Sequence, residues 1–322
     1  KPFVERLIGG EPLPRLIPYA FRRAFRIYPL YWVAVTLVIA IDGSGGVTPL
    51  QLASHYALLN NLVPGQQETV FAPAWTLTLE VLFYAFVPLA AAALRRIHRD
   101  GLTAERLAAI VTASWLASIA WAAVADLPGD GRIGIWLRFL FPGMWQAFCP
   151  GILLAIAPHL SAPRWRRAVD FTGTRAAAVL AVLSLVAAAL LSADAPLRFG
   201  VVPYQLLVDA SRPLFSVGFG ILLAAALRAS PWLPRQRWLL ELGLASYGLY
   251  LLHPVIEAFM LAHGLAPVPH DTLIGYVVNL AVLTALTVPA ALASWYLLEQ
   301  PALRVARRLG DASRARLREA SP

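Results

Sequence analysis

Charged residues and cysteine are scarce in this sequence, and Lys1 is its single lysine. Only 14% of the 322 residues are charged, whereas soluble domains average about a quarter. The lone cysteine, Cys149, excludes an intrachain disulfide and a metal cluster built on cysteine. The histidines other than His253 have no metal-ligand spacing, and Walker, G-x-S-x-G and dinucleotide-binding motifs are all missing. We therefore expect neither a metal site nor a permanently bound cofactor.

Apolar residues make up 59% of the chain, and the mean hydropathy is +0.64. Water cannot solvate so much apolar surface, so the sequence predicts an all-α, polytopic helical membrane protein. Proline and glycine in the fourth span predict a kink there. The eight predicted spans are 27–41, 74–94, 107–125, 135–158, 176–192, 212–228, 240–263 and 275–298.

Arginine is concentrated in alternate loops. Five arginines precede residue 27, the loop 42–73 has neither lysine nor arginine, and six arginines follow residue 301. The positive-inside rule then places both ends in the cytoplasm. The net charge of +9 is explained by loop topology and anionic lipid, so we expect no nucleic-acid partner. The whole chain, 1–322, is predicted to be one domain of the bacterial inner membrane, with 302–322 as a basic cytoplasmic tail on the membrane surface.

The first polar motif is RRAFRIYP, residues 22–29. On a helix, Arg23 and Arg26 share a face, and together they could hold a phosphate or diphosphate group. The alternative is that these arginines only fix the orientation of the span in the membrane, from its cytoplasmic end.

The second motif, PAWTLTLEVLFY at 73–84, puts Glu80 inside a span. A carboxylate there is costly and is functional by default. It could orient a substrate hydroxyl, support a histidine or act as a base. The alternative is a structural ion pair with an arginine such as Arg138 or Arg212.

The third motif is ASYGLYLLHP, residues 245–254. Ser246, Tyr250 and His253 recur on one helical face, and Glu257 could pair with the histidine. His253 could move a proton or donate to an oxyanion, or it could simply bond a neighbouring carbonyl group.

The fourth motif, SWYLLEQP at 294–301, has Glu299 at a helix C-terminus, where the helix dipole disfavours a negative charge. We expect this carboxylate to have an arginine partner and a structural role.

Together the four motifs resemble membrane-bound acyltransferase family 3, whose members transfer acetyl or other short acyl groups to sugars and other hydroxylated acceptors. The resemblance implies about ten spans, with an arginine and a catalytic histidine in the first. This sequence has eight predicted spans and begins where the third would. We therefore expect either upstream sequence that carries the missing histidine or a catalytically incomplete chain.

The resemblance also implies roles for particular residues. Arg22, Arg23 and Arg26 would bind acyl-CoA from the cytoplasmic side, and Glu80 and His253 would support catalysis. A hydroxylated acceptor, such as a cell-surface or exported carbohydrate, would occupy a cavity near membrane lipids. The residues that would line this cavity are Trp75, Tyr84, Ser246, Tyr247 and Tyr250.

Two other functions compete with this interpretation. A transporter for a glycan or lipid-linked intermediate would show related halves with matching interrupted helices, whereas only the fourth span is predicted to be interrupted. A catalytically inert membrane subunit would lack the upstream arginine and histidine.

Overall fold

The structure is a computed structural model that describes residues 1–43, 46–66, 69–98, 101–125, 131–163, 167, 170–192, 204–228, 236–265 and 273–319. All regular structure in these ranges is helical, which confirms the predicted all-α class. The helices are α1 (Pro2–Ile8), α2 (Leu16–Asp42), α3 (Pro49–Tyr56), α4 (Ala74–Ile97), α5 (Ala104–Val124), α6 (Gly131–Phe139), α7 (Phe141–Met144), α8 (Cys149–Ile156), α9 (Arg175–Ser192), α10 (Tyr204–Leu227), α11 (Arg237–Leu244), α12 (Ser246–Ala262), α13 (Leu273–Ser294) and α14 (Gln300–Glu319).

Six helices in the described ranges are long and apolar enough to cross a membrane, and the number rises to eight if each bent pair forms one span. One bent pair joins Phe141–Ala147 to Cys149–His159 at 50°, which confirms the predicted interruption of the fourth span. The other joins α11 to α12 at 66°. The expectation that only the fourth span is interrupted was therefore wrong, because no proline marks the second bend.

Helix α2 begins earlier than the predicted span, at Leu16 instead of residue 27. The three arginines of the first motif therefore lie inside the helix and not ahead of it. Arginine is a good helix former, and its aliphatic stem tolerates apolar neighbours. The backbone of α2 therefore sets the direction in which each of these arginine side chains leaves the helix.

The chain divides into two compact units. One comprises 1–14 and 85–234, the other 15–84 and 235–322, and the boundary falls within α4 between Tyr84 and Ala85. In the first unit, α9 packs along α10 through small residues, and a separate apolar core joins α5 to α8. The small residues of α9 include Ala177, Ala181 and Ala188, which are fully buried.

The second unit is built around α2, which packs against α12 and α14. Its apolar core includes Ile27, Leu30 and Tyr31 of α2, together with Leu77 of α4 and Leu251 of α12. Helix α12 also packs closely on α13. The polar residues of all four motifs belong to this unit.

The loop after α2 is held to that helix by side chains. Tyr31 donates to the carbonyl of His55 at 2.7 Å, and the Trp32 indole donates to that of Tyr56 at 3.0 Å. Helix α3 begins with a capping box between Thr48 and Gln51. The segment that follows α2 is therefore folded back onto it.

Candidate functional site

Arg23 lies against two tyrosine rings. Its guanidinium carbon is 4.4 Å from the ring centroid of Tyr84 and 5.6 Å from that of Tyr19. The two rings meet edge to face, with centroids 6.3 Å apart. Cation–π contacts of this kind strengthen where water is excluded. Two helices, α2 and α4, thus fix the direction of one arginine.

Tyr84 connects Arg23 to Glu80. Nη1 of Arg23 donates to the Tyr84 hydroxyl at 3.2 Å, and that hydroxyl donates to Oε1 of Glu80. A phenolic hydroxyl group has one hydrogen to donate and lone pairs that accept, so it can donate to the carboxylate while it accepts from the arginine. Glu80 and Tyr84 are one helical turn apart, which places them on the same face of α4. Glu80 and Arg23, which the sequence singled out in two separate motifs, are therefore linked through a single hydroxyl group.

One turn before Glu80, the same face of α4 carries Thr76. Its Oγ1 lies 2.5 Å from the hydroxyl of Tyr250 on α12, and it donates to the carbonyl of Pro73 at 3.0 Å. Residues 76, 80 and 84 are spaced four apart, so they form a continuous row. This row brings the second and third motifs together.

Tyr247 joins α12 to α2. Its hydroxyl donates to the carbonyl of Ile27 at 2.6 Å. Six half-buried side chains on α2, α4 and α12 form a polar seam. They are those of Arg23, Thr76, Glu80, Tyr84, Tyr247 and Tyr250.

Glu299 is 5% exposed and lies in a π-helical turn, Trp295–Glu299. Its Oε1 accepts a hydrogen bond from Ser294 at 3.1 Å. The hydrogen-bond donor described for this carboxylate is thus a hydroxyl group. The sequence predicted an arginine partner for Glu299, and that partner stays a prediction.

The remaining predicted site residues are less closely connected. Nδ1 of His253 lies 3.2 Å from the carbonyl of Leu249, so in the neutral ring this nitrogen carries the proton and Nε2 is the basic atom. The His253 ring is 6.2 Å from that of Tyr250, centroid to centroid.

Ser246 is exposed at the start of α12, and Arg22 is exposed on α2. Trp75 is half-buried, and its carbonyl accepts from Asn61 at 2.9 Å.

A buried polar layer beside the polar seam was not predicted. Thr78 donates to Oδ1 of Asn60 at 2.6 Å, and Asn60 donates to Asn61 at 3.2 Å. Ser54 donates to Oε1 of Gln66 at 2.7 Å. The sequence does hold a signal for this layer, since the loop 42–73 has neither lysine nor arginine yet carries several amide side chains.

His55 belongs to the same layer and is fully buried. Its Nδ1 is 2.9 Å from the carbonyl of Gln51, and no described group bonds its Nε2. Burial lowers the pKa of His55 below its usual range, because desolvation disfavours the imidazolium ion and outweighs the carbonyl contact. The neutral ring is therefore part of the folded state. Among the described residues, no three metal-ligating side chains come together.

The match to a known protein family identifies the class of reaction. The family model of acyltransferase family 3, described as an acyltransferase domain, matches residues 9–298. The chain belongs to this family. No curated protein and no solved structure matches it. The match covers the first three motifs and the start of the fourth, so the family's general activity, acyl transfer in a membrane, applies to the polypeptide that holds the polar seam.

Proposed function

We propose that this acyltransferase moves an acetyl or other short acyl group from acyl-CoA to a hydroxyl group of a cell-surface or exported carbohydrate. It would do so in the bacterial inner membrane, with acyl-CoA entering from the cytoplasm. The observation that carries the proposal is the fixed guanidinium group of Arg23, which is tied through Tyr84 to Glu80. The oriented guanidinium group is suited to bind phosphate oxygens, and the half-buried carboxylate is suited to accept a hydrogen bond from a substrate hydroxyl group.

The donor end of the site would be formed by α2. Arg23 and Arg26 are three residues apart and share a helical face, while Arg22 is exposed nearby. Guanidinium groups bind phosphate oxygens through paired hydrogen bonds, which a lysine cannot reproduce. The two rings that hold Arg23 reduce the rotamer entropy that it would lose on binding.

The acceptor end would be formed by α4 and α12. The acceptor hydroxyl loses its proton to a base, and its oxygen attacks the thioester carbonyl carbon. The carbon–sulfur bond then breaks, and the CoA thiolate takes up a proton. Glu80 would bind the acceptor hydroxyl or stabilise the protonated base, while Trp75, Tyr84, Ser246, Tyr247 and Tyr250 would surround the sugar. His253 has a basic Nε2 and could exchange the proton.

The decisive experiment incubates membranes containing the full-length protein with labelled acetyl-CoA and a panel of candidate glycans. Label that moves to one glycan supports the proposal, and product analysis then identifies the acceptor. Membranes from cells without the protein are the control. If the protein neither transfers nor hydrolyses the acyl group with any acceptor, the proposal fails.

The two bent spans favour a second function, transport of a glycan or lipid-linked intermediate. Interrupted helices commonly form substrate sites in transporters. In vesicles that contain the protein, a transporter would move the glycan without acyl-CoA. If the glycan accumulates in the vesicles only when acyl-CoA is present, and labelled acylated product forms, the enzyme is favoured.

A further inference from the structure

Helix α14 packs along α2, and the two helices run in opposite directions. A Cβ atom added at Gly310 of α14 would lie 3.4 Å from Cβ of Pro18, in the first turn of α2. The π-helical turn that precedes α14 also packs on α2, and Leu298 in this turn contacts the apolar core of the second unit. Because α2 begins at Leu16, the residues of α14 that precede Gly310 must pass the residues of α2 that follow Pro18.

Two arginines of α14 lie on one side of this helix contact. Ala306 and Gly310 are both buried and one turn apart, so these small residues mark the face of α14 that meets α2. Each residue of a helix is turned by about 100° from the one before it. Arg307 therefore leaves α14 beside the contact, Arg304 leaves it further round on the same side, and Arg308 leaves it away from α2. All three arginines are exposed.

Two arginines of α2 lie on the matching side. From Pro18 at the contact, each step of four residues turns by about 40°, so Arg22 and then Arg26 move progressively to one side of the contact. Both are exposed. The sense of rotation is reversed between antiparallel helices viewed from the same end, so this is also the side that carries Arg304 and Arg307. These four arginines line one groove between α2 and α14, the arginine groove.

The arginine groove leads to the polar seam. Arg23 leaves α2 on the same side as Arg22 and Arg26, one further step round the helix. Its guanidinium group lies against the ring of Tyr84, and its Nη1 donates to the hydroxyl of that residue. A ligand that extends along the groove would therefore reach the seam through Arg23.

Positive charge collects in the arginine groove. Within the part of the chain that the structure describes, Arg304 and Arg307 form no ion pair and no side-chain hydrogen bond. Packed helices lie about 8–10 Å apart, so the cations on the two walls repel one another. An anion with several phosphate groups could bind guanidinium groups of both walls and offset this repulsion.

We infer that α14 forms a second wall of the donor site, where Arg304 and Arg307 bind the phosphates of acyl-CoA opposite Arg22 and Arg26. This inference rests on the proposed function, because it assumes a phosphorylated donor. The nucleotide end of acyl-CoA lies in the arginine groove, and its pantetheine arm carries the thioester towards Arg23. The headgroup of an anionic lipid offers the same phosphate chemistry, and the test separates the two sources.

The test measures the affinity of two donors that share one thioester. Acetyl-CoA carries phosphates, and S-acetylpantetheine does not. The full-length protein is placed in nanodiscs of neutral phosphatidylcholine, where no lipid is anionic, and in nanodiscs that also contain phosphatidylglycerol. The variants are Arg307→Ala and the double variant Arg304→Ala with Arg307→Ala. Arg308→Ala is the matched control, because it removes the same charge from the next residue of the same helix, on the side away from α2.

We expect Arg307→Ala to weaken acetyl-CoA binding about tenfold in neutral nanodiscs, the size of one lost charged hydrogen bond. The double variant should bind acetyl-CoA more weakly still. S-acetylpantetheine binding should stay unchanged in both variants, and Arg308→Ala should bind both donors normally.

Unchanged acetyl-CoA binding by the double variant in neutral nanodiscs overturns the inference. A difference seen only with phosphatidylglycerol also overturns it, since the arginines would then bind lipid. An equal loss for both donors indicates a structural role, and an equal loss in Arg308→Ala indicates an effect of net charge, so either result contradicts the groove as well. Failure of the proposed function is a separate result, in which the unmodified protein binds acetyl-CoA no better than S-acetylpantetheine.

Discussion

Tyr84 contacts Arg23 in two ways at once, since its ring lies under the guanidinium group and its hydroxyl accepts a hydrogen bond from Nη1. The same hydroxyl donates to Glu80. One aromatic side chain therefore sets the direction of a cation and of a carboxylate.

Replacing Arg23 should weaken donor binding. Arg23→Ala should lower acyl-CoA affinity about tenfold or more, because it removes a charged hydrogen-bonding group. Arg23→Lys should retain little of the affinity, since an ammonium group lacks the planar fork that stacks on the rings and pairs with phosphate. Binding of acetyl-CoA to the full-length protein measures both effects.

Arg237→Ala is the matched control for Arg23, because the Arg237 side chain is 93% exposed and pairs only loosely with Glu241. It should bind acetyl-CoA normally. Unchanged affinity in a double variant, Arg23→Ala with Arg26→Ala, would show that these arginines are topological residues.

Replacing Glu80 should reduce transfer and leave the amount of folded protein unchanged. Glu80→Gln keeps the shape of the side chain and removes its charge, so we expect a loss of about tenfold or more in acyl transfer. Tyr84→Phe should lose less, because the ring remains under Arg23 while the hydroxyl bridge is gone. Initial rates with labelled acetyl-CoA, normalised to protein in the membrane, test both. Full activity of Glu80→Gln would remove Glu80 from the site.

Gly248 allows α12 to cross α13 closely. A Cβ atom there would lie 3.1 Å from Cα of Ala291 and 3.2 Å from its carbonyl oxygen. Backbone atoms cannot rotate away, so Gly248→Ala should cost about 1–3 kcal/mol of stability through overpacking. Thermal denaturation in detergent measures the change. Gly243→Ala is the control because its Cβ meets nothing within 4 Å, and equal stability of the two variants would contradict the close crossing.

His55 should make stability depend on pH. Burial lowers its pKa in the folded state, so the unfolded chain takes up a proton first as the pH drops below about 6.5. The free energy of unfolding should then fall from that pH down to the lower pKa of the folded protein, and become constant below it. His55→Asn should lack this component. Denaturation curves over a pH series test it, and parallel profiles for the two proteins would refute it.

The spans could be predicted because each needs a long apolar run, and the run itself is in the sequence. The fourth span was also predicted to bend, since Pro150 and Gly151 weaken a helix locally. The bend before Ser246 was not predicted, because no proline lies beside it and the apolar run 240–263 is continuous. The proline of that run, Pro254, lies in the middle of α12.

The candidate site was predicted in its residues but not in its connections. Arg23, Glu80 and Tyr250 stand out because polar groups are rare in apolar segments. That Tyr84 bridges two of them depends on how α4 faces α2, which is a property of packing. The π turn at Glu299 and the hydrogen bonds among Asn60 and its neighbours also depend on how the helices pack. The catalytic and binding roles themselves stay predictions.

The 66° bend before Ser246 leaves α12 with 17 residues. At ~1.5 Å per residue this helix is about 25 Å long, whereas the hydrocarbon core of a bilayer is about 30 Å thick. Helix α12 alone is thus shorter than the core, so a span at this point would need α11 as well. The bend then makes the span change direction partway across the bilayer.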